Sequence, residues 1–398
     1  MKAMWRRYVR GIIVFLLCFL AIGSAVFADV GIEDEVSAYL IGDYETGEIL
    51  EEYNIHRPME VASISKLMSY LIIMDHINMG DVSLEDSIYI DKDIAEIEGS
   101  SLELEVGELF TLEELLKAAM VVSANDATYA LAKYIAGTEE SFVMMMNAKA
   151  KELGLSHSIY FNSTGLPYGE LQNKMTTEDI FLLSKHILDR YPETLSITAI
   201  PFIEVPSRNY SKENTNPLLG KIEGVDGLKT GFTDRAGHCL VSTLMVGSSS
   251  KDGGFRLIGI VMGTESEEKR EELSSRLMHY GINNYYKRVF ANREKPVDKI
   301  GIPQSKEGVI EVYPIKDYSK VVRYDDKIEV DMLIDKNIQL PLREGDGIGR
   351  LVVSINGEVL EEIDLIVHKD IDKEGFFLWI IRNIGKLLFK LLKLVQSN

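Results

Sequence analysis

The chain has 398 residues, 46% of them hydrophobic, which is enough for two ordinary domains with sizeable cores. A formal charge of −19 argues against nucleic acid or a polyanionic wall polymer as a general partner, so any basic patch has to be local. With two cysteines, seven scattered histidines and no HExxH or CxxC spacing, the composition predicts neither a disulfide scaffold nor a metal site.

The chain opens "MKAMWRRYVRGIIVFLLCFLAIGSAVFADVG": a basic region, an apolar run from Gly11 to about Gly23, then small residues before Asp29. That order is the signature of a secretory signal peptide over residues 1–28, ending at Ala28. A retained anchor is the alternative, disfavoured because the run is short for a full membrane span. Removing residues 1–28, which carry four basic and no acidic side chains, takes the charge from −19 to −23 and leaves Cys239 as the only cysteine. The mature protein is expected to act outside the cytoplasm.

Next, "SAYLIGDYETGEILEEYN" predicts a hairpin turning at Glu45-Thr46-Gly47. "EVASISKLMSYLIIMD" follows, a helix apolar on nearly every side and therefore buried, with one lysine, Lys66, inside it. "TLEELLKAAM" carries Thr111 and Glu114 at capping-box spacing, and "TTEDIFLLSKHILDRY" repeats the arrangement with Thr176 and Asp179. Between them, "EESFVMMMNAKAKELG" ends at Gly154, a helix C-cap. "AGHCLVSTLMV" and "FRLIGIVMG", joined by "GSSSKDGG", predict a second hairpin. Strand-like segments flanking a helical middle describe an α/β (α+β) domain over residues 29–292.

From about Val297 to His368 the runs become short and β-like, and Asn356-Gly357 between two alternating runs signals a hairpin. Residues 293–369 are therefore expected to form a small all-β domain. Residues 370–398 give a linker and an amphipathic helix in which Arg382, Lys386, Lys390 and Lys393 share one face. Its charges recur too often for a span, so it is expected to lie on a membrane surface, attracted by anionic lipid. A last helix packed on the body is the plainer alternative.

A buried lysine needs a reason. Ser63 precedes Lys66 by one turn, so hydroxyl and amine share a face about 5–6 Å apart at Cβ. Burial disfavours the ammonium form, leaving Lys66 able to take the Ser63 proton, and nearby helix N–H groups can receive a developing oxyanion. SxxK alone is weak, because Ser63 as an N-cap and a snorkelling lysine would explain it. Two further clusters add to it: Ser123 and Asn125 in "VVSANDATYALA", and Lys229, Thr230 and Gly231 in "GVDGLKTGFTDRAGHCLVST".

SxxK, SxN and KTG in this order resemble the penicillin-recognising serine enzymes. The flanks "GSSLELEVGELFTLEELLKAAMVVSANDATYALAKYIAG" and "FVMMMNAKAKELGLSHSIYFNSTGLP" resemble, within that superfamily, the low-molecular-mass penicillin-binding proteins of the D-alanyl-D-alanine carboxypeptidase type. The β-rich segment and the amphipathic tail look like that subfamily's C-terminal domain and membrane anchor. Val61 and Ser65 are small departures.

The resemblance implies a β-lactamase/DD-peptidase-like fold, an antiparallel sheet with a helical subdomain and the active site between them. Ser63 would attack a peptidoglycan stem peptide ending in D-Ala-D-Ala with Lys66 as base, and Ser123 would relay a proton to the leaving amine. Asn125 would hold the substrate amide and Lys66. Lys229 and Thr230 of the KTG strand would face the terminal carboxylate, Gly231 would belong to the same substrate-binding strand, and the N–H groups of Ser63 and Phe232 would form an oxyanion hole. Arg270, in "KREELSSRLMHYG", would be a further carboxylate anchor, or merely a solvated helix arginine. No cofactor is implied, and β-lactams would inhibit by acylating Ser63.

Asp126 is explained by the macrodipole of the helix it opens and is given no chemical role. Glu60 is read as surface solvation. The rivals are a β-lactamase, which needs a deacylating group such as a glutamate where this chain has "FNSTGLPYGELQNKMTTED", and a non-catalytic wall-associated scaffold.

Overall fold

The computed structural model describes residues 30–206, 210–247, 250–375 and 384. The expected signal peptide and, apart from Ile384, the expected amphipathic helix lie outside the described residues. Among the described residues no helix is long and apolar enough to cross a membrane.

The body is built on an antiparallel sheet of β1 (Ala38–Asp43), β2 (Ile49–Tyr53), β3 (Val225–Thr233), β4 (Gly237–Val246) and β5 (Phe255–Thr264), in spatial order β2-β1-β5-β4-β3. β3, which carries Lys229-Thr230-Gly231, is therefore an edge strand. Side chains alternate across a strand, and both faces of this sheet are covered. Ala38 and Leu40 join the core of the helical subdomain, while Tyr39 and Ile41 join a second core. All six residues of β1 are buried, which explains its nearly continuous apolar run.

The helical subdomain comprises α1 (Lys66–Met79), α2 (Leu112–Val121), α3 (Asn125–Ala136), α4 (Glu139–Glu152) and α5 (Thr177–Arg190); α6 (Glu267–Asn284) covers the other face of the sheet. α1 is buried from Lys66 through Asp75, as a helix apolar all round must be. Ser63 sits just before it, in a 3-10 turn over Ala62–Ser65. Thr111 and Glu114 form the expected capping box, Thr176 caps α5, and Gly154 follows α4 with φ +73°.

Beyond α6, β6 (Tyr285–Ala291) pairs with β9 (Tyr318–Arg323), and β7 (Asp298–Gly301), β8 (Val309–Pro314), β10 (Ile328–Ile334), β11 (Gly347–Ile355) and β12 (Glu358–Ile366) form a second antiparallel sheet in order β7-β8-β12-β11-β10. Asn356 and Gly357, at φ +52° and +88°, make the β11–β12 turn in the mirror-image conformation that such hairpins favour. The α/β (α+β) body followed by an all-β part agrees with the sequence reading. The two parts meet at Glu51 of β2, which accepts hydrogen bonds from Arg323 of β9 as well as from Tyr285 and from Tyr280 of α6.

Candidate active site

All three motifs converge between the sheet and the helical subdomain. A cleft of about 840 Å³ is lined by Ser63, Ser123, Thr230, Gly231, Phe232 and Arg270, among others. Lys66, Asn125 and Lys229 lie behind this lining, each at most 3% exposed.

The Ser63 turn is held by packing around it. Ala62 has φ +46°, a conformation alanine rarely adopts, so surrounding contacts must impose it. Ser65 Oγ donates to Ala62 O at 2.7 Å and accepts from Asn173 Nδ2 at 2.9 Å. Gly165 sits against the turn so closely that a Cβ there would lie 1.9 Å from Ala62 O, and its φ of +86° also demands glycine. On the other side, a Cβ on Gly231 would meet Val61 O at 2.9 Å and Ile64 N at 3.2 Å. Glycine in the KTG motif thus lets the edge strand approach the nucleophile.

Lys66 Nζ is 2.9 Å from Ser63 Oγ, 2.7 Å from Asn125 Oδ1 and 2.8 Å from Thr164 O. Two of these partners are carbonyl oxygens, which only accept. A neutral amine satisfies both with its two N–H groups and presents its lone pair to the Ser63 hydroxyl. Burial, then the charge of Lys229, holds the Lys66 ammonium well below its ordinary pKa, partly opposed by Asp126. The arrangement favours a base at Lys66.

Ser123 occupies the turn before α3 with φ +60°, a strained conformation for serine that aims its side chain at the cleft rather than along a helix. Asn125 Nδ2 donates to Glu98 O at 2.9 Å, which turns Oδ1 toward Lys66. Asp126 does more than complement a dipole: it is 1% exposed and accepts from Ser101 Oγ and from the N–H groups of Leu102, Leu104 and Ala127. It fastens the 98–104 segment over the SxN turn. Glu60, only partly exposed, pairs with Lys174 at 3.4 Å across a short ladder, Met59–Glu60 against Lys174–Met175.

Lys229 is 1% exposed, and burial with the neighbouring Arg270 charge lowers its pKa to about 7. Thr230 Oγ1 bonds Thr215 Oγ1 at 2.7 Å. Phe232 is half exposed and stacks on His238 with centroids 4.1 Å apart. Arg270 turns inward: 7% exposed, it lines the cleft, and its buried Nε has no hydrogen-bond partner. A buried guanidinium nitrogen without a partner is costly, which fits a site that receives an anion. The solvated-helix reading of Arg270 does not hold.

Glu170, the glutamate in the window a β-lactamase would use, has a side chain 90% exposed and paired with Arg235. Sequence reading missed Thr164, Glu98 and Gly165. The first two act through backbone carbonyls, which any residue supplies, and only the glycine of "NSTGLP" could have signalled a close approach.

Residues 28–266 match the model of the D-alanyl-D-alanine carboxypeptidase family, and residues 285–373 that of the penicillin-binding protein 5 C-terminal domain. The D-alanyl-D-alanine carboxypeptidase DacF of Bacillus subtilis is 32% identical over 88% of this chain and 89% of its own. Among solved structures, the D-alanyl-D-alanine carboxypeptidase DacD of Francisella tularensis superposes with TM-score 0.67 at 27% identity, covering 89% of this chain and 98% of that one. The ampicillin-bound penicillin-binding protein D2 of Listeria monocytogenes gives 0.55 at 32% identity over 62% of this chain and 97% of that one. With the first model spanning more than half of the sequence and a relative matching along nearly nine-tenths of both chains, the protein belongs to the D-alanyl-D-alanine carboxypeptidase family.

Proposed function

We propose that this protein is a serine-type D-alanyl-D-alanine carboxypeptidase that removes the terminal D-alanine from peptidoglycan stem peptides through an acyl-enzyme on Ser63. The observation that carries the reading is the buried Lys66 amine, with Nζ 2.9 Å from Ser63 Oγ and 2.7 and 2.8 Å from the carbonyl oxygens of Asn125 and Thr164.

Ser63 Oγ attacks the carbonyl carbon of the penultimate D-alanine as its proton passes to Lys66, and the oxyanion is received by the N–H groups of Ser63 and Phe232. The C–N bond then breaks, and the leaving amine takes a proton through Ser123. Asn125 holds the substrate amide, the edge strand pairs with the peptide backbone, and Lys229, Thr230 and Arg270 hold the terminal carboxylate. Water then hydrolyses the ester and releases the shortened peptide. β-Lactams enter the same path as acylating agents, a reading supported by the ampicillin-bound relative.

We also infer export by residues 1–28, a catalytic domain over 29–292, a β-rich domain over 293–369 and a membrane-surface helix within 370–398. The basic n-region, the antiparallel second sheet and the one-sided lysines of the tail support this division.

The test is intact mass against time after mixing the mature protein with benzylpenicillin, beside Ser63→Ala. A long-lived adduct of one penicillin, absent in the variant, is expected. Penicillin consumed with only a fleeting adduct would favour a β-lactamase, and neither adduct nor consumption would remove the catalytic assignment.

A further inference from the structure

Glu139, the first residue of α4, is a half-buried carboxylate whose two oxygens both go to one residue. Oε1 accepts from the Ser163 N–H at 2.6 Å and Oε2 from Ser163 Oγ at 3.0 Å. Burial pushes the carboxyl above its ordinary pKa, opposed by these two bonds and helped by the neighbouring Glu140 charge. A helix N-terminus tolerates an anion, but that alone does not explain why this one turns inward, where desolvation works against it.

Ser163 gives the reason. It is fully buried, and it directly precedes Thr164, whose carbonyl accepts from Lys66 Nζ at 2.8 Å. Three successive peptide planes lead to that carbonyl, and each is held. In the first, between Asn162 and Ser163, Asn173 Nδ2 donates to Asn162 O at 2.9 Å while the Ser163 N–H goes to Glu139. In the second, Ser69 Oγ donates to Ser163 O at 2.7 Å. In the third, the Gly165 N–H goes to Asn162 Oδ1 at 2.6 Å and Thr164 O meets Lys66. Ser69 lies one turn beyond Lys66, so α1 holds two consecutive carbonyls of the loop and α4 holds the N–H before them. Without Glu139, a buried N–H at the start of this series would have to turn and find another acceptor.

We propose that Glu139 is a positioning residue for the general base: by fastening Ser163 to α4 it sets the loop that presents the Thr164 carbonyl to the Lys66 amine. The proposal rests on the carboxypeptidase reading, which makes Lys66 the base. Glu139 touches no substrate and exchanges no proton with Ser63. It acts through Ser163 and Thr164.

The experiment follows acylation of Ser63 by benzylpenicillin against pH in the full mature enzyme. Glu139→Ala should slow acylation by about tenfold to a hundredfold, the cost of a small misplacement away from the chemistry. A carbonyl that accepts from an ammonium favours the charged form, so displacing Thr164 O lowers the Lys66 pKa, and the rising limb should move to lower pH even as the plateau falls. Glu139→Gln keeps an oxygen for the Ser163 N–H and should stay within about threefold of the parent. Thr111→Ala, which uncaps α2 away from this loop, should lower the melting temperature and leave both rate and limb in place. If Glu139→Ala shows no cooperative melting transition, Ser163→Ala reads the same link by removing one of its two bonds, with about a threefold loss of rate and a limb shifted the same way. Variants as fast as the parent, a slower rate with an unmoved limb, or Glu139→Gln as slow as Glu139→Ala would each overturn the inference, while the parent's adduct leaves the carboxypeptidase reading intact. No adduct in the parent overturns both.

Discussion

Lys66 Nζ and Asn125 Oδ1 are 2.7 Å apart, although 59 residues separate them in the chain, and that bond decides which way the lysine's lone pair points. With Thr164 O as the second acceptor, a neutral amine has only its lone pair left, and the nearest hydroxyl to it is that of Ser63, 2.9 Å away. A side chain that stays protonated there has no lone pair to offer. Lys66→Arg keeps the charge and removes the base, so the rate of Ser63 acylation by benzylpenicillin should fall by about 10²–10⁴-fold, the usual contribution of a general base. Acylation at close to the parent rate would show that another group takes the proton.

Lys229 depresses the Lys66 pKa through its charge, after burial itself. Removing that charge in Lys229→Met therefore raises the Lys66 pKa, and the rising limb of the acylation pH profile should move to higher pH. The same lysines make a stability prediction. Their folded pKa values lie below the unfolded value, with Lys229 near 7, so the unfolded chain binds more protons above that pH. Stability should rise from about pH 7 toward the unfolded lysine value of about 10.4, and less so in Lys229→Met. Thermal melts across this window test it; a falling Tm would contradict the assigned burial.

Gly165 shows how little room separates the "NSTGLP" loop from the nucleophile. Gly165→Ala would force its Cβ against Ala62 O and hold alanine at φ +86°. Strain of this kind costs about 1–3 kcal/mol before any clash. The melting temperature should drop, and penicillin acylation should slow as the Ser63 turn and Thr164 O move. A variant as stable and as fast as the parent would mean that the loop does not position the turn.

The motif residues were legible because their chemistry depends on short spacings: Ser63 to Lys66 is one helical turn, and Lys229-Thr230-Gly231 is one stretch of strand. Caps and turns were legible for the same reason, as Thr111, Gly154 and Asn356 show. Asp126 was misjudged because its donors, Leu102 and Leu104, reach it through tertiary folding and leave no trace in neighbouring residues. Arg270 stood between two readings until α6 was seen to turn it inward, a matter of packing that helix on β4 and β5. Thr164 and Glu98 contribute only carbonyls, so their side chains could not announce the role.

Arg270 should matter to peptides according to their terminus. A free carboxylate pairs with the guanidinium, whereas a terminal carboxamide leaves Arg270 buried without a counter-charge. The parent enzyme should therefore prefer a D-alanyl-D-alanine acid over the corresponding amide by about tenfold or more, and Arg270→Gln should erase most of that preference by slowing the acid alone. Equal losses on acid and amide would point to a structural role instead.

Glu51 ties the β-rich part to the body by accepting from Arg323 at 2.6 Å, beside Tyr285 at 2.7 Å and Tyr280 of α6 at 2.8 Å on the body side. Both charged partners are mostly buried, 15% exposed for Arg323 and 22% for Glu51, so Arg323→Ala strands a carboxylate with hydroxyl donors and no cation. Because the site is not fully dry, the loss should be about 1–3 kcal/mol, below that of a deeply buried pair. In calorimetry this predicts a lower or split transition, as the β-rich part loosens from the body. Lys320→Ala removes a more exposed partner of Glu48 and should cost less than about 1 kcal/mol. If the two variants melt alike, Glu51 is not the junction that holds the parts together. If Arg323→Ala alone lowers the transition while Ser63 acylation keeps its rate, the β-rich part is a separately attached unit that the chemistry does not require.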